Sequence, residues 1–250
     1  MKKLLKLCLL LLTFTILNAN NLDKLNILTE IYPPFNYKEN EQLVGLSVEI
    51  LEQMLKNSGS KLTKDDFKVL PWARAYNIVQ NKKDTMLFTM FRTPAREDLF
   101  KWVGPVDSSI VGLIARKDKN IKIKNIEEIK NYKIGTVKDD IAHTALLDSG
   151  YEKRKIDLVS GTNSIEICVK KLNSNRIDMF AYLVTMNEWN LDKNFFNPKD
   201  YENVFTLLKQ DLYFALNKNT DDKIIEKLQS ALDELKKDGT YSNIIKKYKQ

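Results

Sequence analysis

The segment Thr85-Met86-Leu87-Phe88-Thr89-Met90-Phe91 is apolar almost throughout, and Arg92-Thr93-Pro94-Ala95-Arg96 follows it without a break. A strand of that composition is buried on both faces, and its C-terminal end carries a fixed guanidinium to the edge of a sheet. Open α/β sheets bind ligands at that edge. Arginine is the side chain that holds a carboxylate through two parallel hydrogen bonds. The block therefore predicts capture of a small anion or zwitterion. Other chemistries find little support. His143 is the only histidine, and Cys8 and Cys168 are the only cysteines, so no His/Cys cluster offers a transition-metal site. Cys168 shares its helical spacing with Ile165, Val169 and Leu172, which makes it a core residue rather than a nucleophile. No catalytic triad or phosphate loop stands out and no cofactor is expected.

Short strands alternate with amphipathic helices around this block. Leu25 to Leu28 reads as the first strand. Ser47, after Gly45, is placed to cap a helix whose Ile50, Leu51, Met54 and Leu55 share a face, ending near Gly59. Lys68 to Leu70 is a second strand, Pro71 precedes a helix carrying Trp72, Ala75, Tyr76 and Val79, and Asp84 to Phe91 is the third strand. A second series opens after Val103-Gly104-Pro105. It has a strand over Ile110 to Ala115, a short helix over Ile126 to Lys130 and a strand over Lys133 to Val137. Asp140 is a natural cap for the helix with Ala142, Ala145 and Leu146, and Asn163 and Glu166 have capping-box spacing ahead of Ile165. Met179 to Val184 and Leu212 to Leu216 are further strands. The stripe Ile224, Ile225, Leu228, Ala231, Leu232 and Leu235, closed by Gly239, is the strongest helix. Two similar α/β units result, each with a parallel or mixed sheet.

The first residues carry an address. Met1 to Lys6 is basic, Leu7 to Leu17 apolar, and Leu17-Asn18-Ala19 has the small residues of a cleavage site, so residues 1–19 read as a secretory signal peptide. An uncleaved anchor is the weaker alternative, because the apolar run falls short of roughly 20 residues. No later segment is long and apolar enough to span a bilayer. The mature chain is expected to be periplasmic and monomeric. Removing the signal takes Lys+Arg from 40 to 37 against 33 Asp+Glu, so the net charge falls from +7 to +4. The lysine-rich stretch Lys117 to Lys133 lacks interleaved aromatics, and no nucleic-acid partner is expected.

The blocks T-E-I-Y-P-P-F-N-Y (29–37), G-L-S-V-E-I-L (45–51) and D-T-M-L-F-T-M-F-R-T-P-A-R-E-D-L-F-K-W-V-G-P-V (84–106) resemble signatures of the periplasmic solute-binding proteins of family 3, the receptors of polar amino acid ABC importers. R-I-D-M (176–179) and D-G-T-Y (238–241) before I-I-K-K-Y (244–248) resemble two more, in the same order. The resemblance covers the mature chain, and P-W-A-R (71–74) is similar to a P-W-x-R subgroup. It implies the two-lobed type II periplasmic binding protein fold: two mixed sheets joined by two hinge strands with the ligand cleft between. Lobe 1 would be 22–108 plus 212–250 and lobe 2 109–211, with crossings near Pro105–Gly112 and Gln210–Ala215.

On this resemblance Arg96 holds the ligand's α-carboxylate, Tyr32 packs a ring on the ligand, and Trp72 forms a second aromatic wall. Arg74 either adds a guanidinium beside Trp72 or only braces the helix start. Three positions depart from the family pattern. Thr89 and Phe91 stand where a Gly and a Thr/Ser are usual. Asp139-Asp140 replaces a Gly-Thr pair whose amides receive the carboxylate, and would cap its own helix and repel an anion. Leu183, beside Tyr182, occupies the place of the Asp that neutralises the ligand's ammonium group; Asp139 or Asp140 would have to supply that charge. Lobe 2 is expected to close with Lys138–Ile141 and Tyr182. The implied function is capture of an amino acid or related carboxylate for an ABC permease in the inner membrane. Input to a membrane sensor is a second reading. A dehydratase-like enzyme recruiting Asp139, Asp140 or Glu30 as general acid is a third, and the chain is read as a binder rather than an enzyme.

Overall fold

The computed structural model describes residues 21–184 and 197–248; the signal peptide predicted over 1–19 lies outside them. Among the described residues ten strands and six α-helices follow one another. The strands are β1 (Asn26–Thr29), β2 (Tyr37–Glu39), β3 (Gln42–Val44), β4 (Lys68–Val69), β5 (Thr85–Phe91), β6 (Phe100–Arg116), β7 (Ile134–Val137), β8 (Asp157–Val159), β9 (Met179–Leu183) and β10 (Tyr201–Asn217). The helices are α1 (Leu46–Asn57), α2 (Trp72–Asn81), α3 (Ile141–Asp148), α4 (Ser164–Asn173), α5 (Asp222–Lys237) and α6 (Thr240–Tyr248).

Eight strands form one ladder in the order β4-β1-β5-β10-β6-β9-β7-β8. Its two ends mirror each other. β4, β1 and β5 are mutually parallel and β10 closes them antiparallel. β8, β7 and β9 are parallel and β6 closes them antiparallel. The two closing strands run far beyond the short segments their apolar centres predict, 17 residues each, and pair with one another from Tyr201↔Arg116 to Asn217↔Phe100. Outside those centres most positions are half-buried or exposed, so the apolar signal marks only the ends that meet β5 and β9. β5 is buried at every residue, as its composition predicts.

Two expected caps are absent for local reasons. α1 starts at Leu46, with Gly45 as its cap at φ 129°. The amides of Leu46 and Ser47 donate to the carbonyls of Pro34 and Phe35. Ser47 is therefore drawn inside the first turn, where its hydroxyl is buried without a partner. A Cβ at residue 45 would lie 2.4 Å from the Phe35 carbonyl oxygen, which explains the glycine. At α4 the Asn163 side chain makes no cap hydrogen bond, and Glu166 pairs with Lys170 one turn on instead of reaching back. The expected helix near Ile126 is a 3-10 turn, Ile126–Asn131. The β2–β3 hairpin was not foreseen: its turn uses Asn40 and Glu41 at positive φ, without the usual glycine.

Candidate functional site

Six parallel strands end in the loops that carry the charged and aromatic residues. Glu30 and Tyr32 follow β1, Trp72 follows β4, Arg96 follows β5, Asp139 and Asp140 follow β7, Gly161 follows β8, and Tyr182 sits near the end of β9. The two sets of ends face each other. The Trp72 Nε1–H donates to the Asp139 carbonyl at 2.6 Å, and the Tyr32 and Tyr182 rings meet edge to face with centroids 5.3 Å apart. Between them Glu30, Pro71, Val137, Ser164 and Tyr182 enclose about 10 Å³, room for one water.

Backbone restraints fix this edge. The Thr29 hydroxyl donates to the Phe88 carbonyl at 2.6 Å and locks β1 to β5. Asn36 is fully buried; its Nδ2 donates to the Glu30 carbonyl at 2.7 Å and its Oδ1 accepts from the Thr89 hydroxyl at 2.9 Å. Thr89 thus braces the loop of β1. Arg96 is buried, with its guanidinium carbon 5.3 Å from the Trp72 ring centroid and 5.4 Å from that of Tyr76. Among the described residues its hydrogen-bond partner is the Phe91 carbonyl, at 3.4 Å. Stacking between two rings aims the guanidinium while leaving most of its donors open.

Asp140 caps α3 as its sequence position predicts, one carboxylate oxygen accepting from the Ile141 amide at 2.6 Å. Its other oxygen is buried with no partner. Burial pushes the Asp140 carboxyl up to about 6 against the pull of that amide and of Arg96. Glu30 is driven well above the ordinary range, first by burial and then by Asp140, with Arg96 opposing. The Tyr32 and Tyr182 hydroxyls are raised by burial and by these carboxylates. Two carboxylates and one guanidinium, from loops on both sides of the cleft, therefore act on one another.

The other predicted residues fall outside this cluster. Arg74 lies on the exposed face of α2, since a helix that turns Trp72 and Ala75 inward turns residue 74 away. Phe91 contributes its carbonyl to Arg96, but its ring packs in the core. Asp139, at φ 61°, gives its backbone to Trp72 and His143 while its carboxylate is half-exposed, 3.8 Å from His143 Nδ1. Leu183 is fully buried in β9. His143 carries no spacing that singles it out: it lies under Asp139 with Nε2 buried and unpaired, and burial lowers its basicity. Glu30 entered only as a recruitable acid, although it follows β1 as directly as Arg92 follows β5.

Beside Arg96 the cleft widens to a cavity of about 470 Å³ between α2 and α3, lined by Tyr76, Gln80, Asp139 and His143 among others. A groove of about 600 Å³ runs along α3 and β10, where Asp148 is the only charged residue lining it among the described residues. The charges converge in the cleft and not in that groove. Among the described residues no group of three or more His, Cys, Asp or Glu could hold a metal ion, and no helix is long and apolar enough to cross a membrane.

Over residues 25–250 the chain matches the bacterial extracellular solute-binding proteins, family 3, and it belongs to that family. It is 28% identical to a probable amino-acid-binding protein, YxeM, of Bacillus subtilis, over 86% of this chain and 79% of that protein. It is 25% identical to the L-cystine-binding protein TcyA of the same organism, over 87% of this chain and 77% of that one. Among solved structures, a histidine kinase sensor domain with similarity to periplasmic binding proteins superposes with a TM-score of 0.79. That match has 17% identity and covers 92% of this chain and 98% of the other. The fold is that of the type II periplasmic binding proteins.

Proposed function

We propose that the chain is an exported periplasmic receptor that captures an amino acid or related polar solute and delivers it to an ABC permease. The observation that carries this reading is the convergence of Glu30, Tyr32, Trp72, Arg96, Asp140 and Tyr182 on one cleft from the C-terminal ends of two parallel strand sets. Residues 22–108 plus 212–250 act as one lobe and 109–211 as the other, with β6 and β10 as the hinge. The amino-acid binding of the named relatives supports the solute class. The space between Glu30 and Tyr182 holds no more than a water, so a solute is taken as the lobes separate and is gripped as they return. Arg96 supplies donors for an anionic group, and water exclusion strengthens that contact. A thermal-shift screen against amino acids, amines and organic acids tests the reading. A true ligand at about 100 times its Kd adds roughly 2.7 kcal/mol to stability, and Arg96→Ala should remove the shift. Absence of a shift with every amino acid, or an unchanged shift in Arg96→Ala, refutes it.

A further inference from the structure

We propose that His143 is the positioning residue of the closed cleft: its neutral imidazole holds the Asp139 turn against Trp72, and protonation of the ring releases that contact, so that mild acid parts the lobes. The proposal deepens the receptor reading and rests on its two lobes. Among the described residues the backbone of Asp139 makes two hydrogen bonds. Its carbonyl accepts from the Trp72 Nε1–H at 2.6 Å, across the cleft, and its amide donates to His143 Nδ1 at 3.2 Å. Asp139 is held between them at φ 61°, in the left-handed region that a non-glycine residue keeps only under restraint. The chain on either side is tied separately, the Lys138 amide to the Val159 carbonyl at 2.8 Å and the Asp140 amide to the Val137 carbonyl at 3.3 Å. The direction of the Asp139 carbonyl therefore depends on the imidazole.

An imidazole nitrogen accepts a hydrogen bond only while it lacks a proton. With Nδ1 accepting, the proton of the neutral ring sits on Nε2, which is buried without a partner. A second proton, on Nδ1, sets donor against donor at the Asp139 amide. The Asp139 carboxylate, 3.8 Å from Nδ1, can accept that proton only by turning toward the ring. Charged and titratable groups face the ring from each element around it: Lys138 and Asp139 on the loop before α3, and Lys153 on the turn Lys153–Lys155. Tyr76 on α2 and Arg96 after β5 line the same cavity of about 470 Å³. Burial lowers the basicity of the ring, Asp139 opposes, and Lys153 and Lys138 add to the lowering. The neutral form therefore belongs to the closed arrangement. Parting α2 from α3 opens the cavity, lets water reach Nε2 and frees the Asp139 carboxylate to meet the cation. The charged form belongs to the open arrangement, which gains as pH falls.

His143 is the only histidine in the chain, so its ring resonance is unambiguous in NMR spectra of the isotope-labelled, tag-free protein. The Trp72 indole N–H is identified by its loss in Trp72→Phe. Between about pH 7.5 and about pH 4.5 the two signals should titrate with one midpoint, below the ordinary histidine value of about 6.5. The indole signal should move toward that of a solvent-exposed tryptophan. Energy transfer between dyes on Lys56→Cys and Lys170→Cys should report a closed-to-open ratio about fivefold lower at the acid end, the equivalent of one lost hydrogen bond. His143→Asn offers an oxygen near the place of Nδ1 and has no proton to gain, so it should keep the neutral-pH indole signal throughout. His143→Leu should show the shifted signal at every pH. An indole signal that stays fixed while His143 titrates overturns the proposal, and that comparison needs no variant at position 143. So does a signal that titrates unchanged in His143→Asn, or a dye distribution that ignores pH. None of these measurements needs a solute, so the receptor reading stands or falls separately, in the thermal-shift screen.

Discussion

Asp140→Asn should flatten the pH dependence of stability, and the size of the change follows from the site. The Asp140 carboxyl is raised by burial from an ordinary 3.8 to about 6. A carboxyl raised on folding favours the folded state when protonated. Its stabilising contribution is fully present below the unfolded value, declines as pH rises through the folded value, and is gone above it. The span corresponds to about 3 kcal/mol at about 1.4 kcal/mol per tenfold change in acidity. Glu30 is displaced in the same direction and adds to the slope. Asparagine keeps the side-chain oxygen that accepts from the Ile141 amide and so keeps the helix cap. Its amide nitrogen inherits the unpartnered place of Oδ2, so the gain at neutral pH is smaller than the change in slope. Urea unfolding at half-unit steps from about pH 5 to about pH 8 measures both quantities. Wild type should lose about 1.4 kcal/mol more than the variant across that range, the remainder of the span lying below about pH 5. Parallel curves would show that Asp140 titrates normally and would break the electrostatic account of the cleft.

Trp72→Phe keeps a ring under Arg96 but deletes the indole donor to the Asp139 carbonyl. The loss of about 1 kcal/mol should lower the closed-to-open ratio about fivefold. Energy transfer between dyes on Lys56→Cys and Lys170→Cys reads that ratio, and an unchanged distribution refutes the role. Cys168 is buried and its thiol is pushed up to about 12, so it should resist aromatic disulfide reagents at about pH 8 until the protein unfolds. Leu232→Ala, at a fully buried position on α5, should cost about 2–5 kcal/mol in urea unfolding. Gly45→Ala should cost at least 1 kcal/mol, roughly, because both the positive φ and the Phe35 carbonyl oppose a side chain.

The sequence displays the fold better than the site because periodicity reports burial, whereas a site depends on which loops meet. β5 and α5 are legible because one is apolar throughout and the other carries an unbroken stripe. β6 and β10 are legible only where they enter a core; their pairing with each other is long-range and leaves no local pattern. Arg96 and Asp140, which the fold brings to the cleft, are legible by position, one after an apolar strand and one at a helix start. Glu30 obeys the same strand-end rule but follows a four-residue strand, too short to draw attention to its end. By sequence Arg74 stands open between a place beside Trp72 and a brace of the helix start, and the helix turns it to the exposed face while Trp72 enters the cleft. The electrostatic influence of Asp140 on Glu30 joins loops 110 residues apart, and no spacing announces it.

The restraint that fixes the carboxylates also withholds partners from them. Asn36 spends its donor on the Glu30 carbonyl and its acceptor on Thr89, so this buried amide stabilises the loop through its backbone rather than the carboxylate. Arg96 is held by aromatic faces and a backbone carbonyl rather than by an ion pair. A core under selection for stability alone would pair these groups or replace them, since an unpaired buried acceptor costs about 1–3 kcal/mol. Keeping them rigid and unsatisfied is useful only if a solute completes the set. Stability of the free protein and discrimination among solutes should then move in opposite directions when Glu30 or Asp140 is neutralised. A variant that gained both at once would show that the unpaired carboxylates serve neither.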